Sequence, residues 1–315
     1  MRASHIHISR RKFLGLSAGS VAAACFSGKA GAQDDALSEP LFAFGALTDI
    51  QHCDCDAAGS RYYRASPAKA EACVKDFNSQ DLAFVIQLGD FIDRDFASFA
   101  NVLPIYNKLA VPHYHVLGNH DFAVEPDKKA AMLSKLGLAK RYYDFTHGGW
   151  RFVVLDGNDV SVYGRPEGSP QYMAAQATFG KLKKAGARNA QTWNGAVGKT
   201  QLAWLEATLA DASREGQRAI VFCHLPVCPE NEHNLWNDFE IMDLMAANEC
   251  VAAYINGHNH AGNYAEKDGV HYLTLHGMVE TPDTTAYAVV EVYRDHLRVI
   301  GHGREPDRVL RLRQG

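Results

Sequence analysis

The chain has 315 residues, with 32 Lys and Arg against 36 Asp and Glu and a hydrophobic share of 47%. That is ample apolar material for a buried core, and the charge has the wrong sign for broad binding to nucleic acid or to an anionic membrane. Its seven cysteines are too few for a disulfide-built scaffold and show no zinc-ribbon spacing.

Ser9-Arg10-Arg11-Lys12-Phe13-Leu14-Gly15 opens a short Ala-rich run that reaches Phe26, and Ala30-Gly31-Ala32 supplies a small-residue cleavage pattern. Residues 1–32 therefore read as a twin-arginine signal peptide, with the twin-arginine export machinery as a partner and a periplasmic or secreted destination. The run is too short to span a bilayer, so no stable membrane anchor is expected. Cleavage leaves 27 basic and 36 acidic residues, so an anionic substrate needs local positive charge, which bound metal can supply. No repeat, linker or low-complexity stretch divides residues 33–315, and a single domain is expected.

Residues 41–48 read as a buried strand, 67–78 as a helix and 82–88 as a second apolar strand ending in Gly89-Asp90. A helical stretch over 96–109 precedes an extended run at 113–117, which ends in Gly118-Asn119-His120-Asp121. Residues 142–145 and 151–155 flank His147-Gly148-Gly149, a hairpin signal. A helix over 198–213 places Leu202, Leu205 and Leu209 on one face. Then follow a strand at 219–223 before His224, a helix at 239–247, a strand at 251–256 before Gly257, and strands at 271–275, 286–292 and 297–300. Strands alternating with helices and then a strand-rich end suggest two stacked sheets flanked by helices. The polar clusters fall just after strands, where open α/β architectures bind ligands.

Those clusters carry metal-ligand chemistry. Asp49 and Gln51, two apart at a strand end, lie on one side and can share an ion. Asp90 follows a glycine that lets the chain turn, and its two oxygens can bridge two cations. Asn119 adds an amide oxygen, and His224, His258 and His260 add imidazoles. Singly each residue type is commonplace in turns, but Asp-x-Gln, Gly-Asp-x-x-Asp, Gly-Asn-His-Asp, His-x-Pro and Gly-His-x-His occur in order, each after an expected strand.

Together these motifs resemble those of the calcineurin-like metallophosphoesterases, which implies an α/β fold, a four-layer αββα sandwich of two mixed sheets flanked by helices. Gln51 stands where that family usually has histidine, and Asp-Ile-Gln resembles its manganese-dependent ADP-ribose/CDP-alcohol diphosphatase group. Arg61-Tyr62-Tyr63-Arg64, Asn194-Gly195 ahead of Gln201-Leu202-Ala203-Trp204-Leu205, Cys250-Val251 and Gly303-Arg304-Glu305-Pro306-Asp307-Arg308 support the narrower likeness.

By position, the resemblance implies one metal on Asp49, Gln51, Asp90 and His260 and another on Asp90, Asn119, His224 and His258. The cofactors expected are two divalent ions, Mn²⁺ foremost, with Mg²⁺, Fe and Zn²⁺ as alternatives, because the Gln51 oxygen hardens the first position. Such a pair activates a shared water for in-line attack at phosphorus. His120 resembles the family's catalytic histidine, with Asp121 expected to orient it. Asp93 is expected to support the site without ligating metal. Tyr62, Tyr63 and Arg64 are candidates for meeting a nucleotide substrate, and Cys250 for the base pocket. The expected reaction is hydrolysis of ADP-ribose, CDP-alcohols and related nucleoside diphosphate compounds. Broad phosphodiesterase or phosphomonoesterase activity, and an interaction module that kept only the fold, are the competing readings.

Overall fold

A computed structural model describes residues 39–313; the expected signal peptide lies outside them. In chain order, β1 (Phe42–Leu47) leads through α1 (Ser66–Phe77) to β2 (Phe84–Gln87), and α2 (Phe99–Tyr106) leads to β3 (His113–His115). A short α3 (Met132–Lys135) precedes β4 (Tyr143–His147) and β5 (Trp150–Val154). Then come α4 (Pro170–Lys184), α5 (Lys199–Arg214), β6 (Arg218–Phe222), α6 (Asp238–Ala246) and β7 (Val251–Asn256). The chain closes with β8 (Ala261–Lys267), β9 (Val270–His276), β10 (Ala286–Val292), β11 (His296–Gly303) and β12 (Arg308–Arg311).

The strands form two six-stranded mixed sheets, ordered β12-β11-β10-β1-β2-β3 and β4-β5-β6-β7-β9-β8. Within the first, β1, β2 and β3 run parallel; within the second, β5, β6, β7 and β9 do. Period-two alternation sends one face of each sheet inward and the other towards helices. Phe44 and Ala46 of β1, Phe84 and Ile86 of β2, and Ile220 and Phe222 of β6 meet in one cluster between the sheets. Leu47 and Val85 instead pack under α1 and α2 with Val74, Phe77 and Tyr106. Val221 and Tyr254 pack under α5 and α6 with Leu205, Leu209 and Met245. The result is helix, sheet, sheet, helix.

The Gly148-Gly149 turn of the β4–β5 hairpin has φ of 56° and 79°, the double positive-φ geometry of a type I′ connection. Four elements went unanticipated, the four-residue α3 among them. Helix α4 has Ser169 as its N-cap and Pro170 at its start but buries only Ala175, so its apolar period is faint. Strand β8 is largely exposed, and β12 has only four residues. No helix among the described residues is long and apolar enough to cross a membrane.

Phe152 is fully buried and meets the rings of Phe44, Phe84, Phe145 and Phe222 at centroid distances of 5.8, 4.8, 5.1 and 6.1 Å. Phe152→Ala is expected to cost about 3–5 kcal/mol in chemical denaturation, against roughly 0.5 kcal/mol for Val309→Ala at an exposed position. A loss near 1 kcal/mol for Phe152→Ala would show that the two sheets are not held by this aromatic cluster.

Candidate metal centre and active-site cleft

The parallel strands bring the expected donors to one rim. Asp49 and Gln51 follow β1, Asp90 follows β2, Asn119 and His120 follow β3, His224 follows β6, and His258 and His260 follow β7. Their turns are strained: Asp49, Gln51, Asp90 and His258 have φ of 53°, 44°, 56° and 67°. Left-handed backbone at non-glycine residues costs about 1–3 kcal/mol each and gathers at functional sites. Hydrogen bonds between the turns hold them there, from Asp49 N to Gly89 O (3.1 Å), Gln51 N to Asp90 O (2.8 Å) and Val279 N to Asp49 O (2.9 Å). At Gly118 any Cβ would collide with the Asp90 carboxylate, so this turn closes on Asp90 only because the position has no side chain.

The donors form two groups joined at Asp90. In one, His260 Nε2 lies 3.1 Å from Asp49 Oδ1 and 3.1 Å from Gln51 Nε2, and Gln51 Nε2 donates to Asp90 Oδ2 at 3.0 Å. In the other, His224 Nε2 lies 3.1 Å from the same Asp90 Oδ2 and 3.2 Å from Asn119 Oδ1. Ligand atoms of Asp90, His224 and His258 all fall within 4.8 Å of one another.

This donor set fits two hard or borderline divalent cations: it combines carboxylates, amides and imidazoles, and thiols are absent from it. The Gln51 amide turns Nε2 towards Asp90 and His260 and leaves Oε1 buried without a hydrogen-bond partner; a half-turn of the amide would present that oxygen to a cation instead.

The charges support the same conclusion. Burial disfavours a protonated ring at His224, yet Asp90 and Asp49 outweigh it and push the ring up to about 9. Burial likewise opposes the charged form of His260, and Asp49 and Glu280 push it up to about 9. His258 goes well below the usual histidine range, through burial and then its neighbour His224. Without cations, protons on His224 and His260 balance the carboxylates.

The structure corrects three expectations. Asp121 does not orient His120; its carboxylate accepts from the backbone N–H groups of Phe91 (2.8 Å), Gly118 (2.9 Å), Asp90 (3.2 Å) and Ile92 (3.4 Å). Asp93 takes the orienting part, with Oδ1 at 2.7 Å from His120 Nδ1. Burial lowers His120, but Asp90 and Asp93 outweigh it and leave the ring above its usual value.

Cys250 sits at the opposite end of β7 from His258, its thiol 3.6 Å from Leu209 O, too far away to touch a base beside the metals. Of residues 61–64, Arg61 alone lines the cleft. Tyr62 is half-buried, Tyr63 is buried and accepts from Arg94 at 3.2 Å, and exposed Arg64 pairs with Asp54 and Asp56 at 2.5 Å each. Cys53 and Cys55 form a disulfide.

A cavity of about 500 Å³ opens over the donors, walled also by Arg61, Tyr163, Thr192, Trp193 and His233. Sequence reading missed these five. Arg61 opens a motif already singled out and Trp193 adjoins another, but nothing in the loops around Tyr163 and His233 marks them.

A model of the calcineurin-like phosphoesterase family matches residues 42–262; the chain belongs to that family and is a dinuclear metallophosphoesterase. It is similar to the manganese-dependent ADP-ribose/CDP-alcohol diphosphatases of Arabidopsis thaliana, at 33% identity over 85% of this chain and 96% of that one. The Oryza sativa subsp. japonica protein of the same name is 34% identical over 85% of this chain and 94% of its own length. The structure resembles a dimetal phosphatase from Danio rerio, with a TM-score of 0.79, 26% identity, and coverage of 87% of this chain and 100% of that one.

Two outcomes are expected. Below about pH 9 the His224 and His260 rings hold protons that must leave before a cation binds, so cation affinity should rise with pH and level off above that value. Divalent-cation titrations of metal-stripped protein read this directly, and an affinity flat through neutrality would contradict it. Separately, Asp93→Asn should lower the His120 pKa and move the alkaline limb of kcat/KM to lower pH, whereas Asp121→Asn should lower stability and leave that limb in place. pH–rate profiles with the opposite assignment would return the orienting role to Asp121.

Proposed function

We propose that the protein is a manganese-dependent diphosphatase that hydrolyses the phosphoanhydride of nucleoside diphosphate-linked compounds such as ADP-ribose and CDP-alcohols. The observation that carries this reading is the two-armed shape of the cleft. One arm is the cavity with Trp193 and Tyr163. The other, of about 360 Å³, has Ser60, Asn259, Glu280 and Arg304 on its walls. Arg61, His233, His258 and His260 line both, so two of the donors, His258 and His260, stand at their junction.

A phosphate monoester fills one arm, whereas a diphosphate with two substituents needs a place for each. Both volumes suit a small-molecule site. Trp193, 41% exposed, offers an aromatic face to a nucleobase, and the polar arm suits a sugar or alcohol phosphate. The Arg61 side chain has no hydrogen bond or ion pair among the described residues. Its charge is felt at His120, His233 and His260, which leaves its planar fork free for a phosphate.

In this reading Asp49, Gln51, Asp90 and His260 hold one manganese ion, and Asp90, Asn119, His224 and His258 hold the other. When bound, the two ions supply neutralisation of phosphoryl charge and activation of the attacking water. His120, held at Nδ1 by Asp93, keeps Nε2 for a proton on the leaving oxygen. A leaving phosphate monoester has a second pKa near 6 and asks less of that proton than an alkoxide does.

The test is to strip the protein of metal, add back Mn²⁺, Mg²⁺ or Zn²⁺, and identify the products from ADP-ribose and CDP-choline by mass. AMP and CMP release, strongest with Mn²⁺, is expected, and Arg61→Ala should raise KM about tenfold or more, the equivalent of one charged hydrogen bond of roughly 1.5–3 kcal/mol. Inactivity on both compounds alongside cleavage of a nitrophenyl ester would discard the diphosphatase assignment and keep the two-metal chemistry.

A further inference from the structure

The two histidines of Gly257-His258-Asn259-His260 have outer partners of different kinds. His258 Nε2 lies 2.9 Å from Asn194 Oδ1. Asn194 is fully buried, and its Nδ2 donates to the carbonyls of Asn189 at 3.0 Å and Glu232 at 2.7 Å. Those two bonds use both amide hydrogens and fix which way the amide faces, so the oxygen towards His258 can only accept. His258 Nε2 therefore carries the hydrogen, and Nδ1 keeps the lone pair.

The neighbouring imidazoles are held the other way round. His260 Nδ1 lies 2.6 Å from the Glu280 carboxylate, with Nε2 left towards Asp49. His224 Nδ1 lies 2.8 Å from Leu88 O, with Nε2 left towards Asp90 and Asn119. Among these three rings, His258 alone offers Nδ1, and it does so opposite an uncharged acceptor.

We propose that Asn194 is a positioning residue of the metal centre: it selects the Nε2–H tautomer of His258, so that Nδ1 is the nitrogen given to metal. The proposal rests on the two-metal reading of the site. The same amide ties down two loops of the cleft wall, because Asn189 and Asn194 bracket the segment that carries Thr192 and Trp193, and Glu232 precedes His233. One buried side chain thus anchors both the substrate-facing wall and a metal ligand, and an outer partner of this kind typically contributes about 10–100-fold in metal affinity.

The test uses histidine-labelled, metal-free protein at alkaline pH, with His258 assigned by difference from a His258→Gln spectrum. Nitrogen-15 shifts are expected to show His258 protonated at Nε2 and bare at Nδ1, and Asn194→Leu should lose that preference. In divalent-cation titrations Asn194→Leu should weaken one of the two equivalents by about 10–100-fold and leave the other unchanged. Asn194→Asp keeps the acceptor but loses both donors, so it should keep the tautomer and both equivalents.

If Asn194→Asp, folded by circular dichroism, behaves as Asn194→Leu does, Asn194 only braces the loops and the proposal falls. It falls equally if the parent shows His258 protonated at Nδ1, a measurement that does not depend on whether either variant folds. A parent that binds no cation overturns the two-metal reading instead, and the parent spectrum still decides for or against Asn194.

Discussion

The site is organised around one carboxylate buried where the two sheets meet. Asp90 has no exposed surface, and an ionised group there is tolerated only when surrounding charge and hydrogen bonds replace its water. Oδ1 accepts from His120 N at 2.7 Å, and Oδ2 accepts from Gln51 and faces His224. Burial works to raise this carboxyl, but His224 and His120 outweigh it and hold it below the usual carboxylate range. Asp121, close by, is pushed up to about 7 by burial and then by the charge on Asp90. Two carboxyls in one dry space part in this way, one ionised and one inclined to neutrality. The nearby imidazoles and the amide hydrogens of Gln51 answer the need for positive charge at that seam.

How legible this was depended on whether a residue's role follows from strand position. Donors at the ends of apolar runs were readable, because a strand end fixes where a side chain emerges and period two fixes its side. Which acidic residue faces His120 was not readable. Asp93 and Asp121 are both close to donors in sequence, and the choice depends on a turn in which Asp121 collects four backbone N–H groups. Cys250 was placed by resemblance alone, and the full length of β7 separates it from His258. Helix α4 escaped because an exposed helix need not carry a strong apolar face.

The division between donors and walls also follows chain geometry. Every expected metal donor follows a strand of the parallel sets, where the scaffold is most rigid, while Arg61, Tyr163, Trp193 and His233 come from connecting segments between strands. Strand ends hold positions to the tolerance that phosphoryl transfer requires, and loops vary in reach without disturbing the core. The metal centre therefore determines that phosphorus is attacked, and the loops determine which ester or anhydride arrives.

Net charge gives that division a further consequence. The acidic excess over the whole chain works against any anionic substrate, and without cations the protons on His224 and His260 do no more than neutralise Asp49 and Asp90 at the floor of the cleft. Arg61 and Arg304, one in both arms and one in the polar arm alone, are the positive side chains on the walls that do not depend on metal. Exchanging those protons for two divalent ions would add positive charge where the phosphorus must sit and leave the walls unchanged. On the proposed two-metal reading, cation binding would thus do more than activate water: it would turn a charge-balanced floor into an anion-binding one. Substrate affinity and cation occupancy would thereby be linked, each ligand strengthening the other's hold by the same factor.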